Sequence, residues 1–320
     1  HHINKMRRAL ERYLWPPVPN LTKLKAHNPT IESALNNREW SEQPRVSWGV
    51  SKYMNKTERL HFHNARILQN RAPVVVVNNA LNEDDAGRIF NVLNDDTVIT
   101  RCAPEEVNSV MGILGGTKLI WMGRLHSTIK IFNTIGHPNR DVIAFESYDD
   151  NGYHTIYRYG KGITNRGKWF PVDPSQKATH NLATVPVLSE LLRVVQTNTG
   201  ETPNHCIVTR YESGDDSIGS HHDKIVDIVP GTGIHIISLG ASRQFEVSHQ
   251  DIKSWRQTIQ TNNGQLLSMD YDANIVYKPG IRCNTSSQET RISITFRTMR
   301  TWYNSDSKDS FDSTLSSVSV

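Results

Sequence analysis

Residues 205–224 read HCIVTRYESGDDSIGSHHDK, and three consecutive pieces of that run carry most of the reading. Asn204 to Tyr211 is an apolar strand that ends in Thr209-Arg210-Tyr211. Glu212 to Asp216 is polar and Gly-containing, which marks a turn. Ile218-Gly219-Ser220-His221-His222-Asp223 follows. In an extended segment residues two apart share a face, so His221 and Asp223 project together and His222 points the other way. An imidazole and a carboxylate on one face are two thirds of the two-His-one-carboxylate set that holds Fe(II) and leaves positions open. By itself His-x-Asp is a common coincidence. With a Thr and a Tyr hydroxyl one turn upstream, the order and spacing say more.

Further along the chain, residues 291–297 read RISITFR. Ile292, Ile294 and Phe296 form one face of a strand, and Arg291, Ser293, Thr295 and Arg297 form the other. The two Arg stand about 20 Å apart at ~3.3 Å per residue, so they serve different groups unless the strand curves. A buried guanidinium is costly unless paired, and a carboxylate ligand can pair it bidentately. Ile234 to Leu239, Gln244 to Val247 and Ile275 to Tyr277 also read as strands. Strands at this spacing predict a sandwich or barrel. Helical spacing appears in Asn82 through Leu93, behind an acidic start, and in Val187 to Val195. Val74 to Val77 is a β-branched run fit for a buried strand, and Thr155 to Tyr159 alternates with period two.

The chain has 320 residues and a net charge of +4. The charge is uneven: residues 1–71 hold thirteen Lys/Arg against five Asp/Glu, and the remainder is mildly acidic. A basic arm beside a near-neutral body is the footprint of a polyanion partner, though a solvated tail reads the same way. Within the arm, Met6 to Trp15 predicts one short helix, broken by Pro16 and Pro17. No run approaches the ~18 apolar residues of a membrane span, and no secretory signal is visible. Three Cys give neither a disulfide framework nor a Cys-based zinc motif, which predicts a reducing compartment. The chain opens on His1-His2 without Met, as a processed product, an excised piece of a longer polypeptide or a tagged chain would. The last stretch, 304–320, is Ser- and Asp-rich and predicts disorder.

These motifs, with TIYRYGKG (155–162), GKWFP (167–171), VLSELLRVV (187–195) and IISLGASRQFEV (236–247), resemble the AlkB family of Fe(II)- and 2-oxoglutarate-dependent dioxygenases. They run in family order over about 72–300. The resemblance implies an all-β core with flanking helices (α+β): a double-stranded β-helix, or jelly roll, with an N-terminal nucleotide-recognition lid. It divides the chain into a basic arm (1–71), an AlkB-like domain (72–303, lid about 115–172, core about 203–300) and the tail. The implied activity is oxidative removal of N-alkyl groups from bases, with Fe(II) and 2-oxoglutarate as cofactors. The implied partner is nucleic acid, single-stranded DNA or RNA, in the cytoplasm or nucleus and away from any membrane. An AlkB domain cut from an RNA-virus replicase polyprotein would also suit the missing Met.

Residue by residue, the resemblance makes His221 and Asp223 metal ligands and catalytic residues. Tyr211 and Arg291 would bind 2-oxoglutarate, with Arg297 lining the same pocket. Thr209 and Ser293 stand where many members have Asn, with shorter reach. Tyr157, Tyr159 and Trp169 match lid positions that face the nucleotide, where ring stacking is worth ~1–3 kcal/mol per base. The chain departs from the family at one ligand. The window where the second His is expected, 274–282, contains none, and Pro279 falls where one alignment places it. Three accounts follow: a substitute ligand (Cys283, Asp270, Asp272 or water), a domain that kept its pocket as a non-catalytic nucleic-acid binder, or an altered sequence at that position. A dioxygenase with a different substrate is the remaining alternative.

Overall fold

The computed structural model describes residues 54–99 and 140–303, apart from 151–152, 156, 158–162, 166–167, 171–179, 226 and 301. The expected Met6–Trp15 helix, the Ser-rich tail, Tyr159 and most of the expected lid lie outside the described residues.

Four helices and fourteen strands are described, in this order. Helix α1 (Lys56–Leu68) precedes β1 (Val75–Val77) and α2 (Glu83–Asn94). Then come β2 (Asp141–Glu146), β3 (His154–Thr155), β4 (Ile163–Asn165), β5 (Lys168–Phe170) and β6 (His180–Asn181). Helix α3 (Pro186–Thr199) leads into β7 (His205–Tyr211), β8 (Ile234–Gly240), β9 (Arg243–His249), β10 (Arg256–Thr261) and β11 (Gln265–Met269). A six-residue helix α4 (Tyr271–Val276), β12 (Tyr277–Ile281), β13 (Arg291–Arg297) and β14 (Trp302–Tyr303) complete the list. No helix among the described residues is long and apolar enough to cross a membrane.

The helix ends follow local chemistry. Asn55 and Glu58 form a capping box on α1, each side chain meeting the other's backbone N–H. Asn82 accepts the Asp85 N–H at the start of α2. Pro186 opens α3, where its missing N–H costs nothing, and Gly200 closes it at φ 74°.

The core is antiparallel β, as expected. Seven strands run in the order β1-β11-β8-β13-β7-β2-β6, antiparallel except for the β2–β6 pair. A second sheet runs β10-β9-β12. Period-two alternation gives the large sheet two buried faces. Val208, Ile237, Leu239, Ile292, Ile294 and Phe296 pack under Ile89 and Leu93 of α2 and Leu188 and Leu191 of α3. On the opposite face, Tyr211, Leu267 and Met269 share a second core with Phe245, Val247, Tyr277 and Ile281 of the small sheet. The polar row of β13 therefore looks into the space between the two sheets.

Two readings need correction. Ile275 to Tyr277 is not a strand: Ile275 and Val276 end α4, and β12 begins at Tyr277. Asp270 caps α4 by accepting the Ala273 N–H, so a local signal outweighed the β-branched run. The stretch read as a basic arm contains α1, and α1 is docked on the body. Arg59 pairs with Asp251, Arg66 with Asp270, and His63 meets the Tyr277 hydroxyl at 2.9 Å. Of the expected lid, β2, β3, Tyr157 and a β4–β5 hairpin are described, with Trp169 opposite Thr164 in that hairpin.

Candidate active site

The turn after β7 carries the chain from one sheet to the other. Glu212 N–H donates to Asp216 Oδ2 at 2.7 Å. The buried Arg243 guanidinium donates to the carbonyls of Ser213, Gly214, Asp216 and Arg282 at 2.6–3.1 Å. These bonds tie Nη1 and Nη2 to the turn, while Nε is buried without a hydrogen-bond partner among the described residues. Gly214 is obligatory here, since a Cβ would sit 1.6 Å from the Asn284 carbonyl oxygen.

The His-x-Asp segment then lies along β12. Ile218 and Ile281 exchange backbone hydrogen bonds at 3.1 and 2.9 Å, and His221 N–H donates to Pro279 O at 3.0 Å. Pro279 has no N–H to return, so the ladder ends there. Pro279 is the register partner of Val247, in the row that includes Tyr277 and Ile281 opposite His249 and Phe245. The proline backbone thus lies beside that of His221.

His221 Nδ1 lies 2.9 Å from Gly219 O. A carbonyl only accepts, so Nδ1 carries the proton and the neutral ring keeps a lone pair on Nε2. That Nε2 is 3.7 Å from Asp223 Oδ1. The other carboxylate oxygen, Oδ2, accepts from Arg297 Nε at 2.9 Å and Nη2 at 2.7 Å. Burial pushes the Asp223 carboxyl up, but the Arg297 guanidinium leads the opposing effects, so its pKa lies below the ordinary value. His222 turns away, to the Asn274 carbonyl and the Gln250 amide.

Asn274 was not singled out as a functional residue in the sequence. It is fully buried, its Oδ1 accepts the Asp223 N–H at 2.9 Å, and its Nδ2 donates to Asp223 O at 3.1 Å. One amide side chain holds both backbone groups of Asp223, from 51 positions away. No local pattern announces such a contact.

The cosubstrate candidates sit further along the same inner face. Arg291 is the register partner of Tyr211, and its guanidinium lies 5.2 Å from the Tyr211 ring centroid. Arg291 Nε donates to Ser238 Oγ at 3.1 Å. Its Nη1 is buried with no hydrogen-bond partner among the described residues. Burial pulls this guanidinium down to about 10, so it remains charged at neutral pH. Thr209, Ser293 and Ser238 are register partners on adjacent strands, a buried row of hydroxyls.

Two expected roles look different in the structure. Arg297, placed by the resemblance in the cosubstrate pocket, grips Asp223. Tyr157, expected to face the nucleotide, is 8% exposed: Arg297 covers its ring at 4.7 Å, and its hydroxyl accepts the Lys224 N–H at 3.0 Å. Trp169 is placed only as far as its strand.

Residues 150–297 match the 2OG-Fe(II) oxygenase superfamily. Over 153 residues the chain is 31% identical to the mouse DNA oxidative demethylase ALKBH2 and 28% identical to the human protein of that name. That stretch of the chain is similar to AlkB-like 2OG-Fe(II) oxygenases. The matches cover 41% of this chain and span 64% of the mouse relative and 58% of the human one. A solved structure of OsALKBH1 aligns with 71% of this chain and 99% of its own, at 14% identity and a TM-score of 0.39.

The superfamily implies Fe(II) and 2-oxoglutarate, and the residues present here fit them unequally. The orphaned Nη1 of Arg291, beside the Tyr211 ring, is a buried cation shaped for a carboxylate. The iron donors fall short. His221 Nε2 and Asp223 Oδ1 converge, but among the described residues no group of three His, Cys, Asp or Glu side chains could hold a metal. Asp270 is committed to Arg66 and the α4 cap, and Cys283 is exposed.

Proposed function

We propose that this chain is an Fe(II)/2-oxoglutarate-dependent dioxygenase that removes N-alkyl groups from nucleic-acid bases. The carrying observation is Arg291 Nη1, buried beside Tyr211 with no hydrogen-bond partner among the described residues, on the same strand whose far end holds Asp223 through Arg297. A buried cation without an anion is costly, and a dicarboxylate cosubstrate removes that cost. The two facing sheets are read as a double-stranded β-helix, with residues about 115–172 as the nucleotide lid.

Each residue of this chain then has a defined task. Arg291 holds the distal carboxylate, with the Tyr211 hydroxyl and the Thr209–Ser293–Ser238 row beside it. Arg297 and Asn274 orient Asp223, and His221 presents Nε2. Bound iron would supply the O2 chemistry that this class couples to decarboxylation of 2-oxoglutarate. Hydroxylation of an N-alkyl carbon gives a hemiaminal, which releases formaldehyde and the free base. The base must leave its stack, a cost of a few kcal/mol that is least in single strands. Tyr159 and Trp169 are the aromatic candidates for holding it, and the basic segment before α1 would follow the phosphates. Such a substrate places the protein in the nucleus or cytoplasm.

The test is a succinate and formaldehyde assay on the full chain with Fe(II), 2-oxoglutarate and methylated or unmethylated single-stranded oligonucleotide. Succinate and formaldehyde rising only with the methylated strand support the reading. A second reading, a non-catalytic nucleic-acid binder, is favoured by Pro279 standing beside His221. It predicts salt-sensitive oligonucleotide binding with neither product.

A further inference from the structure

Helix α4 is six residues long, and a helix that short has no stability of its own. Its geometry comes from what holds its ends, and α1 reaches both. At the N-terminal end one carboxylate is shared. Asp270 Oδ1 accepts the Ala273 N–H as the cap at 2.7 Å, and Oδ2 accepts from Arg66 Nη1 at 2.7 Å. Arg66 is buried and is anchored by Nη2, which donates to Ala72 O at 2.6 Å. At the C-terminal end the Tyr277 N–H donates to Ala273 O, and the Tyr277 hydroxyl meets His63 Nδ1 of α1 at 2.9 Å.

Between those ends, α4 presents Asn274 to residues 222–223. Its Oδ1 accepts the Asp223 N–H, its Nδ2 donates to Asp223 O, and its own carbonyl faces His222 Nδ1. One amide serving a donor and an acceptor at once tolerates little rotation of the helix that carries it. We infer that Arg66 is a positioning residue for Asp223: the Arg66–Asp270 pair sets α4, and α4 sets the Asp223 backbone through Asn274. This rests on the functional reading above in taking Asp223 as a site residue. Helix α1 lies outside the 150–297 stretch that matches the superfamily, so a segment beyond that match governs a residue within it. The links from Arg66 to Asp223 are contiguous contacts, and coupling along them is measurable by double-mutant cycles. The competing account is that Arg66 adds only to overall stability.

Native-state hydrogen exchange of the Asp223 amide on the full chain reads the bond to Asn274 Oδ1 directly. Arg66→Met should lower its protection at least tenfold. Leu191→Ala, in the core on the far side of the large sheet, is the comparison, with denaturant bringing the proteins to equal global stability. There Leu191→Ala should stay at least tenfold better protected at Asp223 than Arg66→Met. Asp270→Asn keeps a capping oxygen and removes the charge pair. It should reproduce Arg66→Met, the double variant should lose nothing further, and it carries the test if Arg66→Met does not fold. Arg66→Lys keeps a cation without the two-pronged grip and should recover part of the protection. In the Asn274→Ala background, where the reporting bond is gone, Arg66→Met should change that amide no further. In the succinate assay Asp270→Asn should lower kcat several-fold and leave the KM for 2-oxoglutarate, anchored on Arg291, unchanged. Equal protection in Arg66→Met and Leu191→Ala at matched stability would overturn the inference and leave the dioxygenase reading intact. Absence of turnover in the wild type would overturn that reading, while the exchange results would still decide the coupling.

Discussion

Arg297 holds Asp223 by a single oxygen. Nε and Nη2 both donate to Oδ2, at 2.9 and 2.7 Å, and leave Oδ1 turned to His221 Nε2 at 3.7 Å. The pair is buried, with Tyr157 stacked on the far side of the guanidinium. An ordinary surface ion pair would contribute little, but removing one partner of a buried pair strands the other charge.

Arg297→Met should therefore destabilise the fold by about 3–5 kcal/mol. Chemical denaturation read by Trp fluorescence measures it. Arg297→Lys keeps the charge but loses the forked grip, so it should recover part of the stability. A loss below about 1 kcal/mol for Arg297→Met would mean that the contact is loose in solution.

Asn274→Ala leaves the Asp223 N–H and C=O without their partner inside the protein. The expected cost is about 1–3 kcal/mol. Asn274→Asp keeps an acceptor for the N–H and loses the donor to the carbonyl, so it should fall between wild type and Ala. Hydrogen exchange at the Asp223 amide is the site-specific readout. Protection unchanged in Asn274→Ala would refute the assignment.

Arg291→Met should behave in the opposite way. It removes a buried cation whose Nη1 has no partner among the described residues, so the ligand-free fold should be no less stable than wild type. Saturating 2-oxoglutarate should raise the wild-type melting temperature, as any ligand selective for the native state does, and should leave the variant unmoved. A variant still stabilised by 2-oxoglutarate would place the acid elsewhere.

Acid should loosen the docking of α1. His249 Nδ1 accepts the backbone N–H groups of Asp251 and Ile252, so the ring is held neutral. Burial, then the neighbouring His63, pulls its pKa down to about 4. The unfolded chain would protonate this His near the ordinary value of about 6.5. Between about pH 4 and 6.5 the unfolded state binds more protons, so the His249 contribution grows as pH rises and is complete above that window. His249→Asn, which keeps an acceptor without the titration, should flatten the stability–pH curve there. An equally steep curve in the variant would assign the slope to other groups.

Much of the fold was legible in the chain because it rests on local periodicity. RISITFR alternates, and the structure buries Ile292, Ile294 and Phe296 under the helices and turns Arg291, Ser293 and Arg297 inward. The period of Val187 to Val195 lies within α3. Readings failed where two local signals competed. In 270–277 the Asp270 cap prevailed over the β-branched run. In 55–68 the density of basic residues masked the Asn55–Glu58 capping box and the Arg side chains that dock α1.

From residue order it follows that His221 and Asp223 share one face of an extended segment and that Arg291 and Arg297 share one face of a strand, since side-chain direction alternates with the backbone pleat. Residue order also showed the missing second His. Only the tertiary structure decided which charge meets which. Arg297 reaches Asp223 across 74 residues and Asn274 reaches it across 51, while Arg291 keeps one nitrogen without a partner among the described residues. Those outcomes turn on through-space distance and on the desolvation of each group. Both are properties of the packed chain, with no counterpart in residue order.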